Sequence, residues 1–144
     1  MDERKIKPRI IIVEGVDRTG KTELINEINK RTSYRHIIRD RGPIGYRAYS
    51  IIFDRDDKLL EGYWDLEKKL AEIDDIIIVY LYCETKELIE RSIKTDHEIL
   101  DFDFHKKVYL HCLGTSHFRN RLIIDSTKKN TNDIVNELIE REII

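Results

Sequence analysis

What this sequence lacks already narrows its class. Its longest purely apolar run is "IIIVYLYC", residues 76–83, far short of the roughly 20 residues that span a bilayer. The segment "MDERKIKPR" carries charge but no apolar stretch long enough for a signal peptide. Only two cysteines occur, Cys83 and Cys112. That is too few for a disulfide scaffold, so both are expected as reduced thiols in a cytoplasm, of a bacterium or of a phage-infected host. No low-complexity tract or internal repeat is visible. The net charge of −2 offers no global reason to bind membrane or nucleic acid, so any such claim must rest on local basic patches.

At 144 residues, 40% hydrophobic and 38% charged, the chain reads as one soluble domain, 1–144, large enough for a single core. "RIIIVEG" (9–15) has the pattern of a strand buried on both faces. A helix follows from Lys21 to about Arg31, with Leu24, Ile25 and Ile28 at helical spacing. "YRHIIRDRG" (34–42) predicts a short strand ended by Gly42-Pro43. Residues 44–73 predict two helices, one with the stripe Ile44, Ala48, Ile51 and Ile52, the other with Leu59, Leu60, Leu66 and Leu70. "DDIIIVYLYC" (74–83) is the clearest strand. Helices near 88–93 and over 101–113, a strand over 121–126 and a helix over 132–143 complete the pattern.

Strands alternating with helices predict a three-layer α/β/α fold with a short, about four-stranded, parallel sheet. Such sheets bind ligands beyond the carboxyl ends of their strands. Gly15 to Thr22, Asp40, Arg41, Glu84 and Asp125 all fall there.

Gly15-Val16-Asp17-Arg18-Thr19-Gly20-Lys21-Thr22 fits the pattern G-x-x-x-x-G-K-[ST] between a predicted strand and a predicted helix. The glycines let successive backbone N–H groups curl around an anion, and the following helix adds its positive end. Lys21 is placed to reach the β- and γ-phosphates of ATP, and Thr22 to ligate Mg²⁺. Outside the loop itself no Asp-x-x-Gly occurs. "NKRT" (29–32) lacks the aspartate of a guanine-reading Asn-Lys-x-Asp and lies on the first helix. A GTPase is therefore disfavoured.

"EGVDRTGKT" resembles the phosphate loop of the thymidylate kinase family of P-loop nucleotide kinases, in the form that carries arginine after the loop aspartate. The resemblance implies that Arg18 clamps the transferring phosphoryl group. "DRGPIGYRAYS" (40–50) is similar to the family's Asp-Arg segment and the Ala-Tyr pair after it. It implies that Asp40 orients the acceptor or Mg²⁺ and that Arg41 holds acceptor phosphate or hydroxyl. "IIIVYLYCETKELIERS" resembles the family's fourth strand and next helix, which puts Arg91 near the adenine. "SIKTDHEILDFDFHKKVY" looks like a short lid, about 92–100, followed by the family's Phe…Val…Tyr helix at Phe104, Val108 and Tyr109. "RLIIDSTKKNTNDIVNELI" resembles the closing strand and helix that border the adenine site. A homodimer is compatible with this likeness.

The chain departs from the family in lacking the strand and helices that precede the Asp-Arg strand, including an Arg-Glu-Pro that grips the acceptor's phosphate. Only "RTSYRHII" stands there, as in a truncated, phage-type member. The acceptor site is therefore expected to be open. One reading seats a nucleotide or nucleoside on Arg41, Arg47 and Tyr49, with Tyr46 against a base. Another phosphorylates a hydroxyl on DNA, such as a hydroxymethylated pyrimidine, with Arg31, Arg35, Arg39, Arg41 and Arg47 tracking the backbone. A third is a catalytically inactive nucleotide-binding module. The favoured mechanism is in-line transfer, with Lys21 and Arg18 stabilising charge and Asp17 and Asp40 positioning the acceptor. Glu14 is expected near Mg²⁺ through water. His105, His111, Cys112 and His117 fit no zinc spacing.

Overall fold

Residues 6–144 are described by the computed structural model. Its elements are β1 (Ile10–Glu14), α1 (Lys21–Thr32), β2 (Ile37–Asp40), α2 (Pro43–Ile52), α3 (Asp57–Leu70), β3 (Ile76–Tyr82), α4 (Thr85–Lys94), α5 (Phe102–Gly114), β4 (Arg121–Asp125) and α6 (Thr131–Glu140). All four strands are parallel, in the order β2-β1-β3-β4.

The continuous apolar runs of β1 and β3 follow from their central places. Ile11, Val13, Val79 and Leu81 pack with Leu24 and Ile28 of α1 and with Ile134, Val135 and Leu138 of α6. Ile12, Ile76, Ile78 and Tyr80 pack on the other face with Ile44, Ala48 and Tyr49 of α2 and with Phe102, Tyr109, Cys112 and Leu113 of α5. Each strand thus supplies both layers by simple alternation. Among the described residues no helix is long and apolar enough to cross a membrane, and Cys83 and Cys112 are buried free thiols.

Every predicted element is present, with two informative differences. β2 is shorter than the run 34–42 suggested. Ser33 and Tyr34 both take left-handed backbone (φ 52° and 59°), turning the chain after α1, and Arg41 (φ 67°) leaves the strand at its far end. In α3 the leucine stripe is buried only in part. Leu60 and Leu70 are half-buried, Leu70 against the core, while Leu59 and Leu66 are exposed, and the residue fully buried from this helix is Glu67, on the face of Leu60 and Leu70. Its partner lies on α2 and appears below. The segment read as a lid comprises the last residues of α4 and the connection to α5.

Candidate active site

The loop 15–20 joins β1 to α1. A side chain at Gly15 would meet the Leu81 carbonyl oxygen at 2.7 Å, so only glycine lets the loop leave β1 beside β3. Gly20 caps α1 in left-handed backbone (φ 93°), and no side chain accepts from the first-turn N–H groups. Those donors and the helix dipole face the loop, which is the physical basis of an anion site. Lys21 Nζ folds into the loop and donates to the carbonyls of Gly15 and Val16, both at 2.8 Å. Burial and the charge of Arg41 lower its pKa to about 8, against the opposing pull of Asp17, Asp40 and Glu14. Thr19 Oγ1 donates to the Val16 carbonyl and braces the loop from within. The Thr22 residue is exposed on the first turn of α1.

Across from the loop stands the carboxyl end of β2. Arg41 Nη2 donates to Asp17 Oδ1 at 3.3 Å, and its guanidinium lies 4.2 Å from the Tyr49 ring centroid. Tyr49 is buried, its hydroxyl has no hydrogen-bond partner, and burial with the nearby Asp17 charge pushes its pKa up to about 12. Asp40 is the exposed last residue of β2, and its charge acts on Lys21. Asp17, Arg41 and Tyr49 are therefore brought together.

Arg47 is not part of that group. Its Nε and Nη2 donate to Glu67 Oε1 at 3.3 and 3.1 Å, its Nη2 also donates to the Cys112 carbonyl, and its guanidinium lies over the Trp64 ring at 4.5 Å. A fully buried carboxylate holds this cation inside the α2–α3–α5 layer, which corrects its expected place in the acceptor site. The arginines that crowd the sequence also disperse. Arg31 bonds Glu27, Asn132 and Asn136 on the α1–α6 side, while Arg35 and Arg39 are exposed.

Glu14 is the residue whose role the sequence hid. It is 0% exposed, and its carboxylate accepts from Gly42 N–H at 3.2 Å, Gly45 N–H at 2.9 Å and Tyr109 Oη at 2.7 Å. It thus ties the start of α2 to the end of β1. Its oxygens are taken by these donors and closed to solvent, so the expected water link to Mg²⁺ gives way to a clamp on α2. Burial raises its pKa to about 7, against the lowering effect of those donors and of Arg41. The signal in the sequence was an acid at the last position of a strand buried on both faces.

On the other side of the loop, Arg18, Gly20, Glu23, Arg91, Thr95, His97, Lys129, Asn130, Thr131 and Ile134 line a cavity of about 440 Å³. Arg91 donates to the Arg18 carbonyl and to the Ser126 carbonyl, each at 2.9 Å, and pairs with Glu87. It both lines the cavity and bolts the loop to α4 and β4. Arg18 (φ 71°) has a buried Nε without a partner. A separate depression of about 400 Å³, near Arg9, Asp74, Asp75 and Arg119, shares no residue with the loop.

No protein-family model matches the chain, and none of the curated proteins does. Solved structures do. The YorR protein of Bacillus subtilis, solved in complex with phosphorylated GDP, superposes with a TM-score of 0.70 at 15% identity, over 92% of this chain and 94% of that one. A gluconokinase from Sinorhizobium meliloti 1021 superposes with a TM-score of 0.57 at 15% identity, over 94% of this chain and 92% of that one. At this identity the likeness concerns the fold: a P-loop kinase fold of three α/β/α layers around a four-stranded parallel sheet.

Proposed function

We propose that the protein is an ATP-dependent phosphotransferase of the nucleotide-kinase type, moving the γ-phosphoryl group to a nucleotide or nucleoside. The observation that carries this reading is the pairing of the Lys21 loop with the Asp17–Arg41–Tyr49 group across the same cleft. A cavity of nucleobase size opens on the other side of the loop. Loop N–H groups, Lys21 and the α1 dipole hold the β- and γ-phosphates, and Arg18 supplies charge to the equatorial oxygens of the transferring group. Gly15, Val16, Thr19 and Gly20 shape the cradle, and Arg91 borders the base.

The Thr22 hydroxyl and the Asp40 carboxylate are the hard oxygen donors that Mg²⁺ takes. Their small number suits an ion held largely by phosphate and water. Bound there, Mg²⁺ would neutralise charge on the β- and γ-phosphate oxygens.

The test uses γ-labelled ATP, a panel of nucleosides, nucleotides and DNA, and the variant Arg18→Ala. Label should move to an acceptor, and the variant should lose about a thousand-fold in kcat with ATP affinity nearly kept. A change confined to ATP affinity would refute the clamp role. Tight ATP binding with no transfer to any acceptor would leave a binding module in place of an enzyme.

A further inference from the structure

A loop that turns its backbone N–H groups on an anion turns its carbonyls the other way, and carbonyls shielded from water need donors of their own. In the loop 15–20 side chains supply them. Lys21 serves Gly15 and Val16, Ser126 Oγ donates to the Thr19 carbonyl at 3.2 Å, and Arg91 Nη1 donates to the Arg18 carbonyl at 2.9 Å. Lys21 belongs to the helix that the loop begins. Ser126 and Arg91 reach in from the far end of β4 and from α4.

The Arg91 bridge is anchored behind. Nη2 donates to the Ser126 carbonyl at 2.9 Å, and Nε pairs with Glu87 one turn earlier at 3.1 Å. Ser126 is itself tied to β3, its N–H and Oγ both donating to the Tyr82 carbonyl at 2.7 and 3.0 Å. Every nitrogen of the guanidinium is thus engaged within the protein. What the bridge holds is a strained residue. Arg18 takes left-handed backbone (φ 71°), which is unfavourable for a residue with a Cβ and persists where the surroundings fix it. The same Arg18 has a buried Nε without a partner and lines the cavity of about 440 Å³ together with Arg91.

We propose that Arg91 is a positioning residue for phosphoryl transfer: it holds the Arg18 backbone in place, and through it the charge that Arg18 presents to the transferring group. This rests on the kinase reading and on the role given there to Arg18. Arg91 acts on the reaction without touching the reacting atoms. Misplacing a catalytic group by about an ångström costs on the order of a hundred-fold in rate, even when the change lies away from the chemistry. A residue that only contacted the base would weaken ATP binding and leave the rate of transfer alone.

The test follows label leaving γ-labelled ATP, to water and to the acceptors of the panel above, with the full chain. Arg91→Met and the milder Arg91→Lys, each checked by thermal melt, should lower kcat about a hundred-fold and about ten-fold. Their KM for ATP should stay within about three-fold of wild type. In the Arg18→Ala background either change should cost no more than about two-fold further, because the group it positions is gone. Unchanged kcat in both variants, with or without a higher KM, would overturn the inference. So would a kcat loss as large in the Arg18→Ala background as in wild type. A wild-type chain that binds ATP and moves no label to water or to any acceptor would end the kinase reading, and this inference with it, before any variant is made.

Discussion

The phosphate loop and the α2–α3–α5 layer each bury a cation, and they treat it differently. Lys21, 8% exposed, sits against two neutral carbonyls, and its pKa falls to about 8. Arg47, 7% exposed, lies against the fully buried Glu67 carboxylate, with a carbonyl and the Trp64 ring completing its surroundings. The first arrangement leaves the ammonium without a direct ion pair, at a cost in folding, ready for an anion. The second cancels the charge and holds two helices together. Of these two cations, the one without a direct ion pair belongs to the phosphate loop, and the one locked to a carboxylate belongs to the scaffold.

The largest expected effect tests the first half of that contrast. Lys21→Met should lower phosphoryl transfer about a thousand-fold, the scale of losing one well-placed charge donor to a transition state. Its melting temperature should hold or rise, because a buried charge without a direct ion pair has been removed. A melting temperature that fell sharply would make Lys21 part of the scaffold and erase the contrast. Glu67→Ala tests the other half. It strands Arg47 in the core and removes the acceptor of the His117 N–H, which Glu67 Oε2 binds at 2.9 Å. Breaking one partner of such a pair costs about 3–5 kcal/mol, read from urea unfolding. The ATP affinity of whatever fraction stays folded should be unchanged.

The donor half was legible in the sequence because backbone geometry dictates it. A strand, two glycines at fixed spacing and a lysine leave little freedom, whereas Arg91, which lines the cavity beside the loop, was pointed to by resemblance alone. The acceptor half was legible only in part. Arg41 and Arg47 look equivalent on paper, six positions apart on the same basic stretch. What separates them is Glu67, twenty residues further on, an acid set among the leucines on the buried side of α3. Long-range pairing of that kind leaves no local period. Glu14 was misread for a related reason: its donors are backbone N–H groups of Gly42 and Gly45 and a hydroxyl 95 positions away.

Glu14 sharpens the comparison, being a buried acid where the other two are cations. Its folded-state pKa of about 7 stands above the ordinary 4.5, so between those values the folded chain holds the proton more tightly than the unfolded one. Stability contributed by this group is therefore fully present below about pH 4.5 and is lost as pH rises through 7. Glu14→Gln cannot titrate and should lack that slope. Urea unfolding at pH 5 and pH 8 should show wild type losing on the order of 3 kcal/mol relative to the variant across that interval. Equal slopes would mean that the three donors hold the carboxylate ionised throughout.

The smallest effect is expected at Arg31, where a cation is neither buried nor isolated. Its Nε pairs with Glu27 one turn earlier on α1, and its terminal nitrogens reach the amide oxygens of Asn136 and Asn132 on α6. With its side chain 36% exposed, water competes for every one of these bonds, and a pair of this kind contributes at most about 0.5 kcal/mol. Arg31→Ala should shift unfolding by no more than that and leave phosphoryl transfer to nucleosides untouched. The same variant bears on the arginine-rich stretch as a whole. If those arginines tracked a nucleic-acid backbone together, removing Arg31 would weaken DNA binding and flatten its salt dependence by about one unit of slope. Because Arg31 faces α6, Arg41 faces the loop and Arg47 faces Glu67, the expected change in that slope is zero.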